Sequence, residues 1–253
     1  MSELRALIFD VDGTLADTER DGHRVASNRA FAEVGLDWEW SVSLYGELLA
    51  ITGGKERFRF YLNQYRPDFH PSTGLDEFIA DLHATKIKHY GQLIAEGAIP
   101  LRPGVKRLLE EARVQGMRLA IATTSALPNV TALLEHNLGS DSPAWFDVIG
   151  TGDIVPAKKP APDIYQYVLQ VLGLEAKDCL ALEDSHHGLT AACQAGLKTV
   201  ITVNDYTQGE DFSGAILVLN HLGEPDLPFT VLAGNAGDAS YLDIGLVHRL
   251  HEN

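Results

Sequence analysis

Asp10 and Asp12 leave the end of a short apolar run, Ala6-Leu7-Ile8-Phe9, and Gly13 after them permits a tight turn. Two carboxylates two residues apart can divide the work of group transfer. One attacks an electrophile while the other carries a proton. Strand-end aspartates also cap turns, so the pair gains meaning from its companions. Thr123, Thr124 and Ser125 follow a second apolar run and offer hydroxyls to an oxyanion. Lys159 stands directly before Pro160, which biases the lysine backbone toward extended conformations. A lysine so restrained can neutralise both a carboxylate nucleophile and a phosphoryl group. Glu183 and Asp184 close a further apolar run. Carboxylates from two strand ends, with waters and a phosphate oxygen, make an octahedral oxygen site suited to Mg²⁺.

These residues need a scaffold that brings strand ends together. Ala6–Phe9, Leu119–Ala122, Phe146–Ile149, Cys179–Leu182 and Thr199–Val203 read as strands buried on both faces. Helical patterns at 105–115, 130–136, 163–172 and 188–195 alternate with them. The alternation predicts an α/β fold with a Rossmann-like, doubly wound parallel sheet, whose ligands bind at the carboxyl ends of the strands. Residues 16–97 differ, with helical stretches at 20–34, 55–64 and 76–96 and aromatic residues, Trp38 and Trp40 among them, to fill a small core. They read as an inserted α-helical domain, leaving 1–15 and 98–253 as the α/β core. Beyond residue 204 the pattern is less regular, with added strands expected at 215–219 and 229–232.

The four chemical pieces, in this order and each after an expected strand, resemble the haloacid dehalogenase-like hydrolase superfamily. Asp10-Val11-Asp12-Gly13-Thr14-Leu15 is similar to its first motif, Thr123 to its second, Lys159 to its third and Glu183-Asp184 to its fourth. The helical insert after the first motif resembles the cap of β-phosphoglucomutase-like phosphatases. The run Ala16 to Arg24 resembles the CbbY family, sugar-bisphosphate phosphatases associated with carbon fixation. The resemblance implies that Asp10 forms an aspartyl-phosphate, that Asp12 serves as acid and then base, and that Thr123 and Lys159 bind the phosphoryl oxygens with Thr124 and Ser125 nearby. It implies Mg²⁺ held by the Asp10 side chain, the Asp12 carbonyl and Asp184, with Glu183 at or beside the metal. Lys158 reads as a solvated neighbour of Lys159.

In the cap, Thr52-Gly53-Gly54-Lys55-Glu56-Arg57 reads as a turn opening a helix, with free backbone N–H groups and two cations. It is expected to seat a second, non-transferring phosphate, while Glu19 and His23 meet sugar hydroxyls or a carbonyl. Lys86 or Lys88 can add a further cation. The implied substrate is a small ketose bisphosphate such as xylulose 1,5-bisphosphate. A β-phosphoglucomutase is the nearest alternative, weakened because the histidine after Gly22 falls one place late, at His23. Phosphoglycolate phosphatase is another, though it needs no second seat. A binding protein without turnover would have no need to keep all of Asp10, Asp12, Lys159 and Asp184.

Thirty-five acidic residues against twenty basic ones give a formal charge of -15, which argues against a nucleic-acid surface. Apolar runs are too short for a membrane span, and the start carries Glu3 without a small-residue cleavage site, so no signal peptide is expected. Two cysteines, Cys179 and Cys193, are too few for a disulfide framework. A cytoplasmic monomer is the expectation.

Overall fold

The computed structural model describes residues 3–51 and 53–252. It divides into two units, 1–17 with 100–253 and 18–99.

The first unit is built on seven strands: β1 Ala6–Phe9, β2 Arg118–Ala122, β3 Val148–Gly150, β4 Cys179–Glu183, β5 Lys198–Thr202, β6 Leu217–Leu219 and β7 Val231–Gly234. They form one sheet in the order β3-β2-β1-β4-β5-β6-β7. All neighbours are parallel except β6 and β7. Every residue of β1 is fully buried, which explains its continuous apolar sequence. Leu7, Ile8 and Phe9 each contribute roughly 1.5–3 kcal/mol by leaving water. One sheet face is lined with small residues, Ala6, Ala120, Ala122 and Ala181. On it sits helix α7 (Asp163–Leu172), through Ile164, Tyr165, Val168, Leu169 and Leu172. Helix α8 (His186–Gln194) shares that cluster through Ala191 and Ala192. Helix α5 (Val105–Val114) packs on β2 and against α9 (Ile244–Glu252), and α6 (Leu127–Leu138) follows β2 in the chain.

Strand order turns at β1: the chain adds β2 and β3 on one side, then returns to place β4 and β5 on the other. A crevice therefore opens beyond the carboxyl end of β1, the place where doubly wound sheets bind ligands.

The second unit holds α1 (Arg24–Glu33), α2 (Val42–Leu48), α3 (Gly54–Tyr65) and α4 (Leu75–Ala95). Its core is aromatic, with Phe31 in edge contact with Trp38, Trp40 and Phe58. Asn28 pins the Trp40 backbone, accepting from its N–H at 2.8 Å and donating to its carbonyl at 3.0 Å. The entry to α1 is not the single α-helix expected from residue 20, because Thr18–His23 form a π-helical turn. No helix among the described residues is long and apolar enough to cross a membrane.

Candidate active site

The carboxyl edge of the sheet gathers the expected core residues. Asp10 follows β1 and Thr123 follows β2, while Glu183 ends β4 with Asp184 next. The Asp10 N–H donates to the Leu182 carbonyl at 3.0 Å, so β1 and β4 hold register into the site. Lys159, in the loop after β3, brings its ammonium to Asp10 Oδ1 at 2.6 Å and Glu183 Oε1 at 2.5 Å. Its side chain is 7% exposed, whereas Lys158 lies on the surface. Ser125 donates its hydroxyl to Asp12 Oδ2, and the Ser125 N–H donates to Thr123 Oγ1 at 3.1 Å. Thr123 is buried and Thr124 exposed, so the hydroxyl cluster divides between an inward threonine, a serine on Asp12 and an outward threonine.

Two residues outside the expected set complete the arrangement. Tyr165, on the sheet-facing side of α7, donates its hydroxyl to Glu183 Oε1 at 2.5 Å. Asn204, two residues past β5, donates to Asp184 Oδ2 at 2.7 Å. Asn204 ends an apolar run as Asp10, Thr123 and Asp184 do, which is the signal that could have found it. Tyr165 carries no such mark, because its ring fits a helix's core face.

Glycines let these groups close up. At Gly13, φ is +86° and a Cβ would lie 2.2 Å from Asp184 Oδ2 and 2.6 Å from Asn204 Nδ2. At Gly188, in the first turn of α8, a Cβ would lie 1.9 Å from Glu183 Oε2.

Burial pushes the Asp10 carboxyl up to about 7; Lys159 opposes this, while Glu183 and Asp12 add to it. Asp184 rises well above the carboxylate range through burial, then Asp10 and Glu183, against Asn204 and Lys159. Burial pulls the Lys159 ammonium down, but Asp10 and Glu183 more than reverse this and hold it charged. One ammonium does not balance the carboxylates. Asp10, Glu183 and Asp184 each offer an oxygen within 4.8 Å of the others. An all-oxygen cluster short of positive charge fits a hard divalent cation.

In the helical unit, Glu19 and His23 belong to separate clusters. Glu19 Oε2 accepts from the Tyr45 hydroxyl at 2.5 Å, and Arg57 Nη1 donates to that same hydroxyl at 2.8 Å. Arg57 also donates to the carbonyls of Leu48 at 3.2 Å and Ile51 at 3.4 Å. Its guanidinium thus faces back toward α2 rather than across the amides opening α3. His23 stacks on Tyr90 at 4.0 Å and meets Lys86 Nζ at 2.9 Å. Lys86 is the buried lysine of its pair, while Lys88 is exposed beside Glu33. At the Gly53-Gly54 turn Lys55 is exposed, Glu56 folds back so that a Cβ on Gly53 would lie 2.2 Å from its Oε2, and His83 abuts Gly54. Thr52, expected in the same seat, lies outside the described residues.

A nucleophile candidate beside a fixed ammonium, with a second aspartate held by a hydroxyl and a cation-hungry carboxylate cluster, is an arrangement suited to phosphoryl transfer on a doubly wound sheet. Residues 4–196 match the family model for haloacid dehalogenase-like hydrolases, and the chain belongs to that family. It is a phosphoric monoester hydrolase. Its similarity to protein CbbY of Cupriavidus necator is 50% identity over 225 residues, 89% of this chain and 88% of that one. The crystal structure of CbbY from Rhodobacter sphaeroides in complex with phosphate is 46% identical, with a TM-score of 0.74 over 86% of this chain and 94% of that one. A mutant of the Rhodobacter protein in complex with xylulose-(1,5)bisphosphate matches at 45% identity and a TM-score of 0.74, with the same coverage.

Proposed function

We propose that the protein is a Mg²⁺-dependent phosphatase of a small sugar bisphosphate, converting xylulose 1,5-bisphosphate to xylulose 5-phosphate. The observation that carries this reading is Asp10, held at 2.6 Å by Lys159 inside a buried, all-oxygen carboxylate cluster. The ketose bisphosphate is favoured by the ligand of the Rhodobacter complex.

Asp10 attacks phosphorus, its oxygen forming a new bond as the ester P–O bond breaks. Asp12 gives its proton to the departing sugar alkoxide. Water then attacks the aspartyl-phosphate, Asp12 takes the water's proton, and inorganic phosphate leaves with Asp10 regenerated. Lys159 offsets charge on Asp10 and the phosphoryl oxygens, with Thr123 as hydroxyl partner. Ser125 orients the Asp12 carboxyl toward its proton transfers. The residues that would hold Mg²⁺ are the Asp10 and Asp184 side chains and the Asp12 carbonyl, with Glu183 adjacent. When bound, the ion supplies charge neutralisation for nucleophile and phosphoryl group. In the helical unit, Glu19 and His23 are assigned to the sugar and the Gly53-Gly54 turn with Lys55 to the second phosphate, while Arg57, expected in that seat, instead holds Glu19 and Tyr45 in place, the unit serving as the cap.

The test is phosphate release, with Mg²⁺ and with EDTA, from xylulose 1,5-bisphosphate, ribulose 1,5-bisphosphate, β-glucose 1-phosphate and phosphoglycolate. Metal-dependent preference for xylulose 1,5-bisphosphate is expected. Preference for phosphoglycolate would refute the second phosphate seat, and glucose 6-phosphate in place of free phosphate would mark a mutase.

A further inference from the structure

The groups that place Asp12 and Asp184 rest in turn on one buried cation that takes no part in the chemistry above. Arg102 is 8% exposed and lies where three segments of the α/β unit end. Its Nη1 donates to the Gly13 carbonyl, to the Thr202 carbonyl at 3.0 Å and to Thr202 Oγ1 at 3.2 Å. Its Nη2 donates to the carbonyls of Val203 at 2.5 Å and Asn220 at 2.9 Å. Nε stands 3.4 Å from Asp17 Oδ1, and the Arg102 N–H donates to the Leu15 carbonyl at 2.8 Å. Main chain and side chain together therefore grip the segment that follows Asp12.

The anchored points are not arbitrary. Gly13 directly follows Asp12, and its Cα face is filled by Asp184 and Asn204. Val203 directly precedes Asn204, whose amide holds Asp184. One planar, permanently charged group thus spans the turn after the first motif and the loop that steadies the fourth. A lysine in its place keeps the charge but cannot reach carbonyls on both sides at once. We infer that Arg102 is a positioning residue that fixes the first-motif turn against the β5 loop, and so sets the spacing of the Asp12 carbonyl and the Asp184 side chain as cation ligands.

The inference rests on the proposed Mg²⁺ site, and its test separates the two. Mg²⁺ is titrated calorimetrically into the full-length wild type, R102K and the milder T202V, with kcat and KM measured on the preferred phosphate ester. Expected for R102K are Mg²⁺ binding at least tenfold weaker, kcat lowered at least tenfold and KM within twofold. For T202V, which removes one acceptor and keeps the shape, binding about twofold to threefold weaker is expected. A folded R102K with wild-type Mg²⁺ affinity overturns the inference, whatever its Tm. If R102K does not fold, a folded T202V with unchanged Mg²⁺ affinity does the same. A wild type that binds no Mg²⁺ overturns the metal reading beneath both.

Discussion

Each unit holds a cation, a glutamate and a tyrosine in one cluster. In the α/β unit they are Lys159, Glu183 and Tyr165; in the helical unit, Arg57, Glu19 and Tyr45. Both tyrosines donate to their glutamate at 2.5 Å, and both cations lie near the tyrosine ring, at 5.2 and 5.1 Å from its centroid. The surroundings differ. Glu183 is fully buried and Lys159 must also serve Asp10, with Asp184 close by. Glu19 is 31% exposed and meets Arg57 at 3.9 Å, with backbone carbonyls accepting from Arg57 Nε and Nη2. The same residue types therefore make an under-neutralised, dehydrated cluster in one place and a balanced one with a partly exposed carboxylate in the other. The first is poised for a cation and a nucleophilic step; the second is suited to hold an orientation.

Removing the centre of the under-neutralised cluster gives the largest effect. Asp10→Asn should lower phosphate release by about a thousandfold or more while far-UV circular dichroism stays native. Retained turnover would end the aspartyl-phosphate mechanism. Lys159→Ala should cost on the order of a hundredfold in kcat, and Arg57→Ala roughly tenfold, mainly in KM. Equal losses in kcat for the two cations would erase the distinction between the clusters.

Titration sharpens it further. The native Asp10 carboxyl keeps its proton up to about 7, while the unfolded one releases it near 3.8. Below 3.8 both states are protonated and the group is neutral in its effect. As pH rises from 3.8 to 7 the native state binds more protons than the unfolded one, so stability falls, and the penalty of ionising the buried carboxyl reaches its full size above 7. The Tm of metal-free wild type should thus drop relative to Asp10→Asn between pH 5 and pH 8, and added Mg²⁺ should raise it more at pH 8. A constant difference between the two proteins across that range would contradict the assignment. The smallest effects come from the hydroxyls. Tyr165→Phe should destabilise by about 1–3 kcal/mol in denaturant unfolding, because buried Glu183 loses a donor that water cannot replace. Tyr45→Phe should stay near 1 kcal/mol, because its partner Glu19 is partly exposed and water can replace the lost donor.

Periodicity and strand-end position made much of the fold legible. β1 matches its apolar run residue for residue, and α7 spans the expected 163–172. β3 begins at Val148 rather than Phe146, because Phe146 instead ends the 3-10 turn Ser142–Trp145. α2 went unread: it is seven residues long, carries Gly46, and depends on the Ser41 side chain accepting from the Leu44 N–H. α9 was hidden by polar residues, since His251 is buried by its contact with the Lys177 carbonyl rather than by apolar character. The strand-end rule located Asp10, Thr123, Glu183 and Asp184. It passed over Arg102, which lies in a loop and acts through carbonyls, groups that sequence does not distinguish.

The strand order has a consequence for how the molecule breathes. Asp10 leaves β1, which has two strands on one side and four on the other. Fraying starts at sheet margins, and β7 is an exposed antiparallel margin. The nucleophile's strand is therefore shielded from local opening on both flanks. Amide hydrogens of Leu7 and Phe9 should exchange only with global unfolding, while those of β7 exchange through small openings that never reach the reacting carboxylate.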